Sequence, residues 1–283
     1  GFRYIQVEGA VLKGQKNPHR LPVIQKIQSC FVYNSAPKVS TFQCSNRIFN
    51  EAHRLIEKAV RSNMQSVFTD CPHREKLGWL EQDHLCGPGL LYNYDLTGFL
   101  PQTLQNIADA QHANGAVPTT APEYVVFEGP GMDAFAESPE WGCTFVVLPF
   151  MYYETYGDDS LIRKYYNGMR RYIDYMTTRA NDGIVSFGLG DWYDYGDFRA
   201  GFSRNTPVPL VATAHYYMVV RYLVEAARML DNRYDVAYYT HLGEEINKAF
   251  HREFYHKDTR QYGTGSQCSN CLLYTSDAAD DRI

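Results

Sequence analysis

The sequence predicts a mainly α fold in which a short β-rich segment precedes about six helices. Three observations predict it. The hydrophobic period changes from two to helical spacing near residue 45. Apolar stripes at i, i+4 and i+7 then recur to residue 254. Between them lie joins of very unequal length that hold most of the polar-aromatic clusters.

Residues 1–44 read as strands. Segments 2–7 and 23–32 are rich in β-branched and aromatic residues and are separated by a Gly/Lys/Asn/Pro loop. Two or three strands do not hold a sheet alone, so this piece is expected to close a β-sandwich lying upstream. Ser45 is the expected N-cap of the first helix, whose stripe is Ile48, Phe49, Ala52, Leu55, Ile56, Ala59 and Val60. Further helices are expected near residues 99–113, 144–156, 160–179, 210–230 and 236–254. Asn114-Gly115 reads as a C-terminal stop, and Pro149 is expected to kink its helix. The clearest stripe is Leu161, Ile162, Tyr165, Tyr166, Met169, Tyr172, Ile173 and Met176. The long joins cover residues 66–98, 114–143 and 180–208, and structureless joins of that length in a compact domain are usually functional. An antiparallel helical barrel with its long loops on one rim fits this alternation; so does an open helical array.

Composition excludes several function classes. The 283 residues carry a net charge of −5 with no basic stripe, which argues against a nucleic-acid partner. No apolar run reaches the roughly 18 residues that a bilayer span needs. Of seven cysteines only Cys268 and Cys271 have CxxC spacing, with neither a second pair nor a suitable histidine, so no metal or cofactor is expected. His215 reads as a hydrogen-bonded core residue and Gly243-Glu244-Glu245 as a solvated face. The 23 Tyr, 15 Phe and 3 Trp suit either helix seams or a wall for sugars, which present one apolar face and many hydroxyls.

The segment Thr69–Gln82 concentrates chemistry: Asp70, Arg74, Glu75 and Trp79 lie close together around Cys71-Pro72 and Gly78. Arg74 can fork onto a carboxylate or a sugar hydroxyl. Glu75 is placed for a general acid, a role that burial against Trp79 would favour by disfavouring charge. The same spacing fits a helix start with Asp70 as cap, Glu75 in the first turn and Trp79 packed inward. The other two long joins favour the first reading. They carry Glu137-Ser138-Pro139-Glu140-Trp141-Gly142 and Gly190-Asp191-Trp192, so every tryptophan lies in a long join within four residues of an acid. Packing alone gives no reason for that coincidence, whereas a saccharide cleft does.

With these joins laid out, the chain resembles the bacterial α-L-rhamnosidases of glycoside hydrolase family 78. The block Asp70-Cys71-Pro72-His73-Arg74-Glu75-Lys76-Leu77-Gly78-Trp79 carries the resemblance, which extends over about residues 1–270. It implies an (α/α)6 barrel preceded by β-sandwich modules, and hydrolysis of terminal α-linked L-rhamnose with inversion. On the matched positions Glu75 is the general acid, and Asp70 and Arg74 hold rhamnose hydroxyls. Trp79, Trp141 and Trp192 wall the sugar's methyl group, with Asp191 beside the last of them. Gln82 stands where many members have an aspartate, so that sugar contact is expected to differ. An inverting pair sits about 6.5–9.5 Å apart to admit a water. The family's general base lies in a loop beyond any residue matched here.

The resemblance therefore implies the end of an accessory β-sandwich module and linker at 1–44, and the N-terminal part of the barrel at 45–270. Residues 271–283 resemble a translated sequencing adapter; a genuine polar tail is the rival reading. A chain starting at Gly1 is expected to lack its natural N-terminus. The fragment is expected to be inactive or nearly so, with apolar faces left uncovered. A barrel glycosidase for another sugar and a non-catalytic carbohydrate-binding module are the alternatives. Periplasmic or extracellular placement rests on analogy, and the sequence assigns no oligomeric state.

Overall fold

The computed structural model describes residues 3–277, and helices dominate it. Two short strands, β1 (Val11–Leu12) and β2 (Val23–Ile24), pair in parallel near the start. They replace the long strands expected at 2–7 and 23–32. Tyr4, Ile5, Phe31 and Val32 lie exposed, because alternation makes a strand only where a second layer buries one face. The β-sandwich expected before the helices is therefore not seen among the described residues.

Helix α1 (Arg47–Asn63) starts one residue later than expected. Asn46, not Ser45, is its N-cap, and its side chain accepts from the Ile48 amide at 2.9 Å. Most of the stripe expected to face a core has no cover: Ile48 is 71% exposed, and Phe49, Leu55 and Ile56 are each 59% exposed, while Val60 at its end packs against the core. The join at 66–98 is not structureless, since it holds α2 (Glu81–Leu85) and α3 (Gly87–Asn93). Helix α4 (Phe99–Ala110) ends before the expected stop at Asn114-Gly115. The next join holds α5 (Asp133–Ala136) and α6 (Pro139–Gly142).

Helix α7 (Thr144–Tyr156) is buried along nearly its whole first two turns and is apolar on all sides, as a central core helix must be. It runs on through Pro149 and ends on Gly157, whose φ of +70° is the left-handed cap that glycine favours. Helix α8 (Ser160–Arg179) buries every residue of its expected stripe. A hairpin of β3 (Asp194–Gly196) and β4 (Phe198–Gly201) follows in the third join. Helices α9 (Val208–Met229) and α10 (Arg233–Phe254) then pack along one another. Asn232 caps α10 by accepting from the Asp235 amide. Tyrosine hydroxyls tie α8 to α10: Tyr166 donates to Asp235 at 2.6 Å, and Tyr239 donates to Asp174 at 2.9 Å. The excess of tyrosine thus serves helix seams here. The strands β5 (Tyr255–His256) and β6 (Gln261–Tyr262) form a small hairpin ahead of α11 (Gln267–Asp277). That helix crosses the start of the expected adapter-like tail, and residues 278–283 lie outside the described residues.

One large core joins α4, α7, α8, α9 and α10, and the three long joins gather at one end of it. Among the described residues no helix is long and apolar enough to cross a membrane. Among the same residues no group of His, Cys, Asp and Glu could hold a metal.

Candidate active site

The loop after α1 is closed on itself. The Asp70 amide donates to the Leu77 carbonyl at 3.1 Å, and the Leu77 amide donates back to the Asp70 carboxylate at 3.3 Å. This ring of bonds holds 70–77 as a compact turn, so the segment is not the helix start that spacing also allowed. Beyond it the chain runs extended beside the second join: Trp79 bridges Thr120, and the Ala121 amide donates to the Gly78 carbonyl at 2.9 Å. Only glycine fits at 78, because an added Cβ would lie 2.6 Å from the Ala121 carbonyl oxygen.

Glu75 lies on this turn, exposed rather than buried. One of its oxygens accepts from Arg74 at 2.6 Å and the other from the Trp79 indole N–H at 2.9 Å. Trp79 in turn stacks on Phe127 with centroids 5.3 Å apart and meets Trp141 edge-on at 6.4 Å. Phe135 joins Trp79 to Trp192, the latter at 5.4 Å and nearly perpendicular. Aromatic contacts thus fasten the three joins to each other around a cleft of about 560 Å³.

That cleft gathers nearly every residue singled out in the sequence: Asp70, Arg74, Glu75, Trp79, Gln82, Trp141 and Trp192 all line it. Gln82 anchors itself by donating to the Phe68 carbonyl at 2.9 Å. Asp191 is set apart. It lines the neighbouring polar groove with Asp194, Arg204 and Cys268, and Thr206 donates to it at 3.5 Å.

The burial expected of Glu75 falls on two other acids. Glu81 lines the cleft, and burial, then the charges of Glu140 and Asp191, push its carboxyl up to about 8. Glu140 is 2% exposed, and burial pushes it up to about 7 against the opposing pull of the Ser138 hydroxyl and nearby backbone amides. Ser138 donates to one Glu140 oxygen at 2.5 Å; the other is buried with no partner. Gly188 makes room there, since a Cβ on it would lie 2.9 Å from the first oxygen. Asp83 is raised by burial alone, and His84, hydrogen-bonded to Thr144 at 2.6 Å, is pushed down to about 3 by burial.

Sequence reasoning missed Glu81 as a cleft acid and Glu140 as the buried acid whose charge acts on it, although both stand beside residues it chose. Their tryptophan and glutamine neighbours are the signal that would have found them. Phe127 and Phe135 have no such marker, because nothing local separates a cleft phenylalanine from a core one.

Comparison with known proteins places this arrangement. Residues 37–282 match the family described as the bacterial alpha-L-rhamnosidase 6 hairpin glycosidase domain. A protein named alpha-L-rhamnosidase from Formosa agariphila is 27% identical over 97% of this chain and 29% of its own length. The alpha-L-rhamnosidase structure from Dictyoglumus thermophilum superposes with a TM-score of 0.76 at 28% identity, covering 86% of this chain and 27% of that one. A Streptomyces avermitilis alpha-L-rhamnosidase complexed with L-rhamnose gives 0.74 at 27% identity, over 85% and 22% of the two chains. The chain thus spans under a third of the length of these relatives. Its core, its cleft and the extent of the family match together make it a member of the bacterial α-L-rhamnosidase six-hairpin glycosidase domain family.

Proposed function

We propose that this domain belongs to an inverting glycoside hydrolase that releases terminal α-L-rhamnose, and that its cleft binds the rhamnosyl unit. The observation that carries the reading is Glu75 held between Arg74 and the indole of Trp79 at an aromatic-walled cleft. The names of the relatives and the rhamnose bound by one of them support the choice of sugar. Rhamnose lacks a hydroxyl at its last carbon, and its methyl group suits the apolar surfaces of Trp79, Trp141 and Trp192.

In this reading Glu75 protonates the glycosidic oxygen, which relieves negative charge as the leaving group departs. Arg74 and Asp70 hold sugar hydroxyls. To act as an acid Glu75 must carry a proton, so the Arg74 guanidinium must swing from the carboxyl onto the substrate. Its side chain is 80% exposed and free to do so. A carboxylate on the opposite face of the sugar activates the water; no residue of this chain is assigned to it, and turnover by this chain alone is expected to be slight. The cleft's acidic floor, with Arg74 as its lining cation, suits a neutral sugar better than a uronide. The proposed division is linker at 1–44, catalytic barrel at 45–270 and a foreign tail at 271–283.

Titrating the chain with L-rhamnose, L-fucose, D-glucose and D-glucuronate while following tryptophan fluorescence tests this, since all three tryptophans line the cleft. Saturable quenching by L-rhamnose in preference to the others is expected. Equal responses to all four sugars, or none, would overturn the assignment.

A further inference from the structure

The cleft holds a carboxyl that the reading above leaves idle. Glu81, the first residue of α2, lines the same cleft as Glu75, Trp141 and Trp192, yet its carboxyl makes no hydrogen bond to any described residue. Its neighbour Gln82 is tied to the Phe68 carbonyl, so the two side chains part ways. The charges acting on Glu81 are all negative, from Glu140 and Asp191; Arg74, the cation of the cleft lining, is paired with Glu75. Glu140, whose charge acts on it, is 2% exposed, with one oxygen held by the Ser138 hydroxyl and the other unpartnered.

A half-buried carboxyl with no donor and only like charges around it has one economical state, which is to keep its proton. We propose that Glu81 stays a neutral carboxylic acid in the working cleft and donates a hydrogen bond to a hydroxyl of the bound sugar. This rests on the rhamnoside reading of the cleft and adds a third carboxyl to it, one that donates without giving up its proton. The value of about 8 that burial and the neighbouring acids impose agrees with that state at neutral pH. A donor here adds to Arg74 a second group on the cleft wall that can donate to a sugar hydroxyl, where Asp70 accepts from the Leu77 amide and Glu75 from Arg74 and Trp79. It also gives selectivity, since a sugar carboxylate at this spot would face Glu140 and Asp191.

The full chain tests this through L-rhamnose titrations followed by tryptophan fluorescence, at pH 6 and pH 9.5. The wild type is expected to bind about five- to tenfold more weakly at pH 9.5, where Glu81 has lost the proton it donates. Glu81→Gln still donates, through its amide, but does not ionise. It is expected to bind within about threefold of the wild type at pH 6 and to lose the pH dependence. Glu81→Ala is expected to be about five- to tenfold weaker at both pH values. The other ionisable groups of the cleft wall, Asp70, Arg74, Glu75 and Tyr193, and the two acids whose charges act on Glu81, Glu140 and Asp191, remain in Glu81→Gln, so a pH dependence surviving in that variant overturns the role. Wild-type binding that is retained but insensitive to pH also overturns this role alone. Absence of L-rhamnose binding at both pH values overturns the rhamnoside reading as well. Should Glu81→Ala fail to fold, the comparison of wild type with the isosteric Gln variant decides.

Discussion

Gly78→Ala is the sharpest test of how the cleft is built. The new Cβ would sit 2.6 Å from the Ala121 carbonyl oxygen and 3.5 Å from Val67. A normal carbon–oxygen contact needs more than half an ångström beyond the first distance. The obstacle is backbone, so no side chain can rotate away, and the two extended segments must separate. Overpacking of this kind costs about 1–3 kcal/mol. Separation also stretches the Ala121 amide to Gly78 carbonyl bond, now 2.9 Å, whose loss adds about 1 kcal/mol. The expected destabilisation is therefore about 2–4 kcal/mol, or a fall in Tm of roughly 3–7 °C for a chain of this size. Thermal unfolding followed by circular dichroism measures it. Gly89→Ala is the control: it lies inside α3 with nothing within 4 Å of its Cβ, and alanine should leave stability unchanged or raise it by up to about 1 kcal/mol. If Gly78→Ala melts within 2 °C of the control, the close approach of the two joins is not what positions Trp79.

Further outcomes are expected. In the complete enzyme Glu75→Gln should lower kcat on an aryl α-L-rhamnoside by about 10²-fold or more while leaving L-rhamnose binding within a few-fold, as kinetics and equilibrium titration would show. Glu81 and Glu140 have folded-state values raised to about 8 and about 7, above the 4.5 of a free glutamate. Their contribution to stability is thus present in full below about 4.5 and lost as pH rises through 7 and 8. Denaturant melts from pH 5 to 9 should show falling stability, and Glu81→Gln should flatten part of that slope. Replacing Ile48 and Ile56 of α1 by lysine should cost less than about 1 kcal/mol at such exposed sites, and should reduce dye binding and light scattering by shrinking an apolar patch.

The helices were legible because burial on one face leaves a periodic trace. In α8 all eight stripe residues read from the sequence are buried, and α7 keeps its place across a proline. The same logic misled at α1, where the stripe is as regular but, Val60 apart, is left largely exposed among the described residues. Periodicity reports that a face is apolar, not what meets it. The strands failed for the related reason that a sheet is a property of partners. At the cleft, the coincidence of tryptophan and acid located the right three joins, since both residue types are conspicuous. It could not rank the acids. Glu75 is exposed and holds two hydrogen bonds, while Glu81 is half-buried and Glu140 buried, and burial arises only when joins more than fifty residues apart close on one another. Asp191 beside Trp192 looked equivalent to Glu140 beside Trp141, yet Asp191 lines the neighbouring polar groove while Glu140 is buried.

One indole links the wall of the cleft to its proton. Trp79 offers its N–H to Glu75 and a ring to the same cleft that would receive the sugar. A sugar that moved the ring would therefore move the bond that aims Glu75. Filling the wall and orienting the acid would then be one event, and a ligand too small to reach the ring would leave the carboxyl where it stands.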